Sequence, residues 1–414
     1  MVIRKGYKQT ELGIIPEDWN YLNMVDVVRK NDSIKIGPFG SQLKKELLVT
    51  SGYKVYGQEN IFEKNFDIGN RYINVNHFLK LKTCEIVSGD FIISMMGTIG
   101  QCMIVPNNIE RGIMDSHLIR IRLKLDLISN DFFIYLFQSK IILNQIMKLS
   151  VGSIMAGLSS SIIKKLIIPV PTISEQKKIV NTLSEIDELI NSQESLIQKK
   201  KNIKQGAMQE LLTGKRRLEG FSGEWESKTL DKVANFFSGG TPLTSISEYY
   251  GGEIPWIVSG DLNSRFIIEV NGRITEKGLN NSSAKMVKEN TLLIALYGAT
   301  AGVVAISLIR ASINQAVLAI IPCSIDTKFL FYKLEFLKDW IITTYTQGGQ
   351  PNLSANIIKS IKMEFPSEDE QEAISKILSD MDSEIEQLES QKEKYINLKQ
   401  AMMQKLLTGE IRLV

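Results

Sequence analysis

The feature that most constrains this 414-residue chain is a long internal repeat without gaps. The stretch "SEQKKIVNTLSEIDELI", which begins at Ser174, returns as "DEQEAISKILSDMDSEI" at Asp369. Likewise "LLTGKRRL" at Leu211 returns as "LLTGEIRL" at Leu406, so that matched residues always lie 195 positions apart. A period of about 20–50 residues would indicate a solenoid. A period this long indicates a duplicated domain followed by a helix.

Each copy of the repeat predicts one long helix. Both stretches lack proline, and their apolar residues recur at spacings of three and four, which makes a heptad seam. Gly214 and Gly409 stand where a helix commonly ends on a left-handed residue. Roughly 39 residues at 1.5 Å per residue give a rod of about 58 Å. Two helices of equal length with the same seam favour an antiparallel coiled coil with a pseudo-twofold axis.

The segments that precede the two helices also correspond, but more loosely. Trp19 in "PEDW" aligns with Trp225 in "SGEW", and "GQEN" at Gly57 aligns with "VSGD" at Val258. Short runs with strand propensity are separated by Gly, Pro and Asn, which predicts a mixed α/β domain in each half. The predicted strands include Phe91–Met95, Met103–Pro106, Thr291–Leu296 and Val303–Ser307.

The predicted fold class is therefore α+β, with two similar mixed α/β domains separated by two long antiparallel helices. We divide the chain into domain 1 (1–173), helix 1 (174–213), a linker with domain 2 (214–367), and helix 2 with a C-terminal tail (368–414). A shared frame with divergent loops is what two domains need when they do one job on two different targets.

Composition narrows the class of protein. Hydrophobic residues make up 43% and charged residues 23%, as in a globular protein with a core. Three widely spaced cysteines predict no disulfide framework, and no apolar run approaches the roughly 20 residues of a membrane span, so we expect a cytoplasmic protein. Residues 1–173 hold 21 Lys/Arg against 15 Asp/Glu, which makes a polyanionic partner plausible for the first half.

The sequence contains no recognisable catalytic constellation. It lacks a glycine-rich dinucleotide or phosphate-binding fingerprint. His77 and His117 lie 40 positions apart without nearby cysteines, which favours structural or surface histidines over a metal site.

The order of frame, divergent domain and long helix, repeated once, resembles the specificity subunit of type I restriction-modification enzymes. The resemblance covers essentially the whole chain. The strings that carry it are "IPEDW" at Ile15, "GPFGSQL" at Gly37, "SGGTP" at Ser238, "EIPWIVSGDL" at Glu253, "QPNLS" at Gln350, and the two "LLTG" segments.

The resemblance implies two target-recognition domains that each recognise one half of a split double-stranded DNA sequence. It also implies that the paired helices set the spacing and dock two methylation subunits, with restriction/translocase subunits as further partners, in a bacterial or archaeal cytoplasm. On this view the chain is not an enzyme and binds no cofactor, and S-adenosylmethionine, ATP and Mg²⁺ belong to the partner subunits.

Side chains that read base edges are expected on loops and helix starts. In domain 1 the candidates are Lys35, Gln42, Lys44, Lys45, Gln58, Asn60, Thr98, Gln101, Ser116 and His117. In domain 2 they are Thr241, Thr244, Ser259, Asp261, Asn263, Tyr297, Thr300, Asn314, Gln315, Gln347, Gln350 and Asn352. The halves differ here, because Ser116 and His117 of "MDSHLIRI" replace Asn314 and Gln315 of "INQAVLAI".

The helix ends are repeated most faithfully, so we expect them to dock the methylation subunits through exposed apolar side chains. The predicted docking residues are Met208, Leu211, Leu212, Met403, Leu406 and Leu407. Two other hypotheses remain open from the residues. One is a coiled-coil scaffold whose domains bind protein or glycan, and the other is a nuclease or methyltransferase with an unfamiliar site.

Overall fold

The computed structural model describes residues 4–30, 33–96, 100–150, 158–346 and 352–413. The chain forms two compact units, and each contains one domain and half of each long helix. Unit 1 comprises Met1–Gln193 and Gln391–Val414, and unit 2 comprises Glu194–Ser390. The division made from the sequence kept each helix whole, whereas the compact units take the helices in halves.

Domain 1, the globular part of unit 1, has a four-stranded sheet of order β10-β9-β12-β4 and a five-stranded sheet of order β5-β7-β6-β11-β8. Two antiparallel pairs, β1-β2 and β13-β3, complete it. The strands are β1 Tyr7–Thr10, β2 Gly13–Pro16, β3 Asn20–Asn23, β4 Ile34–Ile36, β5 Leu48–Val49, β6 Tyr53–Tyr56, β7 Tyr72–Ile73, β8 Glu85–Ile86, β9 Phe91–Ser94, β10 Cys102–Ile104, β11 Gly112–Met114, β12 Leu118–Ile121 and β13 Ile167–Val170. The helices are α1 Met24–Val27, α2 Gln58–Phe62, α3 Val75–Lys80, α4 Asn130–Phe137, α5 Lys140–Ser150 and α6 Ser160–Lys164, with 3₁₀ turns at Gly40–Gln42, Lys45–Leu47 and Lys82–Cys84.

The first long helix, α7, runs Ile173–Leu211 and leads into domain 2, the globular part of unit 2. The strands there are β14 Glu226–Thr229, β15 Ala234–Ser238, β16 Tyr250–Ile257, β17 Phe266–Ile267, β18 Arg273–Ile274, β19 Lys285–Val287, β20 Thr291–Ala295, β21 Val304–Ser307, β22 Ala311–Ile313, β23 Val317–Pro322 and β24 Lys362–Phe365. The helices are α8 Leu230–Val233, α9 Glu276–Asn280, α10 Thr327–Tyr345 and α11 Ala355–Ser360, with 3₁₀ turns at Ser247–Tyr249, Ser259–Ser264 and Gly298–Thr300. The second long helix, α12, runs Glu368–Leu407.

The two domains share one core topology, to which domain 1 adds the edge strand β5 and domain 2 adds the edge strand β17. Domain 2 has sheets of order β15-β23-β20-β21-β17 and β18-β16-β22-β19, plus the pair β14-β24. A parallel contact occurs at the same place in both, between β6 and β11 in domain 1 and between β16 and β22 in domain 2. All four predicted strands are present, and the predicted fold class is confirmed.

The helix halves of each unit run antiparallel and pack on their own domain. In unit 1 Asp187 of α7 pairs with Lys399 of α12 at 2.5 Å, and Gln193 contacts Gln391 at 3.3 Å. In unit 2 the long helices are joined by ion pairs, which are Lys200–Glu384, Lys201–Glu389 and Lys204–Asp382. The buried seam residues Ile179 and Leu183 belong to the core of domain 1, and Ile374 and Leu378 belong to that of domain 2.

Residues that correspond in the repeat make equivalent contacts in the two units. Arg412, after α12, binds Glu175 at the start of α7 through two bonds of 2.7 and 2.9 Å. Arg217, after α7, binds Glu370 at the start of α12 through two bonds of 2.6 Å. A bidentate arginine on a buried carboxylate has one favoured geometry. Each unit makes this contact once, between the start of one long helix and the segment that follows the other. The need to keep both contacts accounts for the gapless register.

Both long helices end on a glycine in the left-handed region, as predicted. Gly214 and Gly409 each have φ of +70°. Two residues later, the Arg216 N–H donates to the Glu210 carbonyl at 3.2 Å, and the Ile411 N–H donates to the Lys405 carbonyl at 3.1 Å. A residue with a side chain would be strained at this angle, which explains why the glycine recurs. Among the residues that the structure describes, no helix is both long and apolar enough to cross a membrane.

Candidate nucleic-acid interface

Four loops of domain 1 meet at one end of its sheets, and we call them loop face 1. Asp115 follows the last residue of strand β11, and its N–H donates to the Tyr56 carbonyl at 2.8 Å. The Met95 N–H donates to the His117 carbonyl at 2.8 Å. Gly37 lies so close to the Asp115 carbonyl that a side chain would collide with it. The loops comprise residues 37–42, residues 57–60 with the first turn of α2, residues 94–96 from the end of β9, and residues 115–117.

Several of the predicted side chains gather on loop face 1. The Ser94 hydroxyl donates to the Gln58 Oε1 at 2.8 Å, and the Ser94 N–H donates to the Gln101 carbonyl at 3.0 Å. The His77 Nε2 contacts the Gln42 carbonyl at 2.7 Å. These contacts bring amide and imidazole groups from distant parts of the sequence to one surface, where hydrogen-bonding side chains can meet a ligand.

Domain 2 has the equivalent surface, loop face 2. The Asn314 N–H donates to the Ile257 carbonyl at 3.1 Å, and the Leu296 N–H donates to the Ala316 carbonyl at 2.8 Å. The Thr241 hydroxyl hydrogen-bonds to Gln315. Its loops are Gly239–Thr244, Val258–Asn263, Tyr297–Thr300 and Asn314–Ala316, and Asn352 joins them through a bridge to Tyr297.

The matched hydrogen bonds correct one detail of the sequence comparison. Asp115 and Asn314 each use Oδ1 to accept the N–H two residues further on, at 2.9 and 3.0 Å. Asp115 therefore matches Asn314, and Ser116 matches Gln315. The prediction that Ser116 and His117 replace that pair is wrong by one position, and the two quoted strings, aligned letter by letter, agree with the hydrogen bonds.

Two predicted DNA-contacting side chains are buried and hold loops in place. Asn60 is 1% exposed, and its Oδ1 accepts the Gly57 N–H at 2.9 Å. Asn314 is 9% exposed. Both predictions are corrected, because a buried side chain already bonded to its own loop cannot reach a base edge. Asp261 makes the same loop bond to Val258 at 2.8 Å, but its side chain is partly exposed.

The other predicted residues lie at least partly at the surface wherever the structure describes them, and their contact with DNA stays a prediction. The exposed ones are Gln42, Lys44, Lys45, His117, Thr244, Asn263, Tyr297, Gln315 and Asn352. The partly exposed ones are Lys35, Gln58, Gln101, Ser116, Thr241, Ser259 and Thr300. Thr98, Gln347 and Gln350 lie outside the described residues. Lys35 lies within strand β4 and not on a loop.

Sequence reasoning missed a charged group on loop face 1. Arg71, which precedes β7, donates from Nη2 to Glu59 at 2.7 Å and to Asp115 at 3.0 Å. Neither the spacing nor the local composition of the three residues brings them together. The only signal in the sequence was the divergence of the loops between the halves.

The predicted docking residues at the helix ends are mostly not exposed. Met208, Leu211 and Leu212 are 8%, 5% and 1% exposed in the core of unit 2, and Leu406 and Leu407 are 4% and 0% exposed in that of unit 1. Met403 is partly exposed. The expectation of exposed apolar hot spots is wrong for the five buried residues. They are repeated because each unit packs its helix end against a domain.

A second repeated cluster fastens the helix pair to each domain. In unit 2 the Tyr332 hydroxyl donates to Asp382 at 2.8 Å, and Arg265 and Lys204 also bind that carboxylate. Burial acts to raise the pKa of Asp382, but the hydrogen bonds from Arg265 and Lys204 hold it below its ordinary value. In unit 1 the Tyr135 hydroxyl donates to Asp187 at 2.8 Å. Burial, followed by the bond to Asp187, raises the pKa of the Tyr135 phenol.

Within the described ranges, no group of three or more His, Cys, Asp or Glu side chains is arranged to hold a metal ion. The two loop faces instead present amides, hydroxyls and a few charged groups on a rigid frame. Such a surface suits recognition of hydrogen-bonding edges.

Comparison with known proteins identifies the fold and the family. The family model described as "Type I restriction modification DNA specificity domain" matches residues 16–205 and again residues 222–398. A Methanocaldococcus jannaschii protein that bears the name of the MjaX specificity subunit of a type I restriction enzyme is 27% identical over 432 aligned residues. The alignment covers 99% of this chain and 97% of that protein.

Solved structures agree in fold. A chain from a structural study of complex assembly and conformational transition in the type I R-M system superposes with a TM-score of 0.65 at 17% identity, covering 96% of this chain and 99% of that one. The S subunit of a type I restriction-modification system from M. genitalium gives a TM-score of 0.56 at 18% identity, covering 98% of each chain. Since the two matches of the family model together cover most of the chain, this protein belongs to the family of type I restriction modification DNA specificity domains.

Proposed function

We propose that this chain is the DNA-specificity subunit of a type I restriction-modification complex, and that each domain recognises one half of a bipartite DNA sequence. The observation that supports this most directly is the pair of loop faces. Their backbone hydrogen bonds match, from the Asp115–Tyr56 bond and its Asn314–Ile257 equivalent to the caps that close each loop. The exposed side chains on that shared frame differ. One frame with two sets of side chains suits two different half-sites.

The proposal is tested by exchanging one domain. Residues 20–150 are replaced with the matching segment of a relative that recognises another sequence, and methylated sites are mapped in a host that carries the methylation subunits. We expect one half of the target to change and the other half to stay. A change in both halves, or in neither, would refute independent recognition.

The helices supply a docking surface for the methylation subunits, and the structure suggests a different one from the buried helix ends. A stripe on the second half of α7 is exposed and returns on the second half of α12. The spacing i, i+3, i+4, i+7, i+10 places its residues on one helix face. The stripe consists of Lys199, Asn202, Ile203, Gly206 and Gln209, and it returns as Lys394, Asn397, Leu398, Ala401 and Gln404.

Packing in the two cores does not explain why this stripe is repeated, because its side chains are exposed to solvent. Ile203 is 48% exposed and Leu398 is 46% exposed, which places an apolar side chain at the centre of a polar rim in each unit. An apolar centre with a polar rim is the usual anatomy of a protein interface. One copy per unit fits one methylation subunit per unit.

The test is substitution of the two apolar centres. Ile203→Asp and Leu398→Asp should each remove one bound methylation subunit, and the double variant should remove both, as counted by native mass spectrometry. Thermal unfolding should stay unchanged, because exposed positions rarely change stability by more than about 0.5 kcal/mol. Leu189→Asp is the matched control, since Leu189 is 39% exposed on α7 but its counterpart in the repeat is Glu384. Full assembly of the double variant would contradict this docking surface.

The paired helices also set the distance between the half-sites on this proposal. Four extra residues lengthen a helix by about 6 Å and turn it by roughly one revolution, so the apolar stripe is nearly kept. Insertion of four residues after Ser192 and four after Gln387 should lengthen the DNA spacer by about one or two base pairs. Both half-sites should stay the same. An active variant with the parental spacer would show that the helices do not determine it.

Methylation and cleavage belong to partner subunits in this proposal, and so do their cofactors. The site of action is the cytoplasm of a bacterium or archaeon, where the chromosomal DNA lies.

A further inference from the structure

We infer that Arg71 selects a guanine in the half-site recognised by domain 1, and that Glu59 and Asp115 hold its guanidinium in place for that contact. The inference rests on the proposed function and adds a specificity-determining residue with the base that it prefers. It is carried by the geometry of loop face 1 and by comparison with the same frame in loop face 2.

The guanidinium of Arg71 is fixed at the surface. Its Nη2 donates to Glu59 at 2.7 Å and to Asp115 at 3.0 Å. Asp115 is 4% exposed and is itself anchored by backbone bonds, whereas the Arg71 side chain is 33% exposed and that of Glu59 is 45% exposed. A long side chain that is held by two carboxylates has lost most of its rotamer freedom before any ligand binds. It is therefore ready to contact a partner at little further entropic cost.

The cluster lies among the side chains already assigned to loop face 1. Gly57 caps helix α2, which carries Glu59, and a side chain at Gly57 would collide with both Glu59 and Arg71. The His117 N–H donates to the Asp115 Oδ1 at 2.9 Å, while Asp115 Oδ2 accepts Arg71. The cluster thus joins two of the four segments of loop face 1.

Domain 2 shows that the frame does not need these charges. The Val55 N–H donates to the Arg71 carbonyl at 2.8 Å, and its equivalent, the Trp256 N–H, donates to the Gly272 carbonyl at 2.9 Å. Gly272 therefore stands where domain 1 has Arg71. By the same matching, Gly260 and Asn314 stand where domain 1 has Glu59 and Asp115.

All three members of the cluster are therefore replaced together in a domain that keeps the same backbone hydrogen bonds. Asn314 keeps the one interaction that the frame requires, which is acceptance of a backbone N–H by Oδ1 at 3.0 Å. The carboxylate of Asp115 holds Arg71, and the His117 Nδ1 lies 3.5 Å from its Oδ1. A charged group that is partly exposed, and that the equivalent frame of domain 2 does without, is best explained by recognition.

The chemistry of the cluster favours a base edge over a phosphate. One guanidinium and two carboxylates leave a formal charge of −1, which repels a phosphate group but not a neutral base. The N–H groups of Arg71 on Nε and Nη1 have no partner among the residues that the structure describes. They lie on different edges of the guanidinium, because Nη2 uses both of its N–H groups on the two carboxylates, so each free group can donate to one acceptor. Guanine presents two acceptors, N7 and O6, in the major groove, and arginine is their commonest protein partner.

The experiment uses the full chain assembled with its methylation subunits and maps methylated sites for the parent, Arg71→Gln and Arg71→Lys. We expect a guanine at one position of half-site 1 in the parent. Both variants should lose discrimination at that position by roughly 10- to 100-fold, while half-site 2 stays unchanged. Lysine should fail as well, because an ammonium on a flexible stem does not reproduce the fixed N–H directions of a guanidinium held by two carboxylates.

Two further variants guard against a folding artefact. The triple variant Glu59→Gly, Arg71→Gly, Asp115→Asn introduces the residues that domain 2 has at the equivalent positions. It should therefore fold, and it should lose the guanine preference because the guanidinium is gone. Arg111→Gln is the matched control, because Arg111 is an exposed, ion-paired arginine at the opposite end of β11, bound to Glu85 at 2.7 Å. It should keep the parental target.

The outcomes separate the inference from the proposed function. A parent that methylates no bipartite sequence would overturn the proposed function. A parent with a bipartite target that Arg71→Gln leaves intact would overturn only the role of Arg71. An equal loss of binding to all sequences, with the preference at each position kept, would mark a phosphate contact and would also overturn it.

Discussion

Lys333 offers a quantitative test of how unit 2 is packed. This lysine of α10 is 6% exposed, and its ammonium donates to the Leu212 carbonyl at 2.9 Å and to the Glu364 carbonyl at 2.6 Å. The ring of Trp225 lies 4.8 Å from its nitrogen. Burial among these groups lowers the pKa of Lys333 from 10.5 to about 8. The folded state therefore releases this proton at a lower pH than the unfolded chain does.

The sign and size of the effect follow from proton linkage. Between about pH 8 and pH 10.5 the unfolded chain binds more protons at this group than the folded chain, so the free energy of unfolding rises with pH in that window. At 1.36 kcal/mol per pH unit, the full window corresponds to about 3 kcal/mol. Below pH 8 the whole penalty of burying the charge is present.

The assay is urea unfolding followed by tryptophan fluorescence at several pH values from about 7.5 to 10, for the parent and for Lys333→Met. Other groups titrate in this range, so the quantity to plot is the difference between the two proteins. Methionine has no charge to bury. In domain 1 the equivalent position is the buried Leu136, which follows Tyr135 as Lys333 follows Tyr332, so an apolar side chain suits this point of the fold. As the pH rises, the free energy of unfolding of the parent should increase by up to about 3 kcal/mol relative to that of the variant. A difference that is constant with pH would refute the argument.

Three further predictions concern the contacts of the long helices. Leu406→Ala should lower the free energy of unfolding of unit 1 by about 2–5 kcal/mol, because it opens a cavity in a core; a cost below about 1 kcal/mol in urea titrations would argue against this burial. Arg412→Ala should release the C-terminal segment to carboxypeptidase, whereas Arg216→Ala, at a side chain 72% exposed, should leave proteolysis unchanged; equal digestion rates would speak against the Arg412 clamp. Unit 2 should lose stability as the pH falls through the lowered pKa of Asp382, and Asp382→Asn should flatten that loss in acid titrations; an equally steep loss would assign it to other groups.

Comparison of the sequence with the structure separates two kinds of information. The register of 195 positions is enough to indicate the duplication and the helix ends, and together with the repeated strings it indicates the family. These features are local or periodic, since a missing proline, a heptad seam and a glycine at +70° leave their mark on consecutive residues. The positions of the segments that form the two loop faces were also predictable, because turn residues separate the strands.

What buries the apolar residues of the long helices depends on which distant parts of the chain come into contact. The seam showed that Leu211 and Leu406 face something apolar, and the structure shows that this is the core of a domain and not a partner protein. Periodicity reports that a helix face is buried, but it cannot report what buries it.

The two loop faces show the same limit at the level of single side chains. Asn60 and Gln58 are two positions apart and chemically alike, yet one is buried in a loop cap and the other is partly exposed. Arg71, Glu59 and Asp115 lie up to 56 positions apart and form one cluster only because strands β6, β7 and β11 are neighbours in a sheet. By itself the sequence determined the repeat, the helices and the class of protein. Only the tertiary structure decided which side chains stay exposed, because exposure depends on neighbours that the fold brings in from distant parts of the chain.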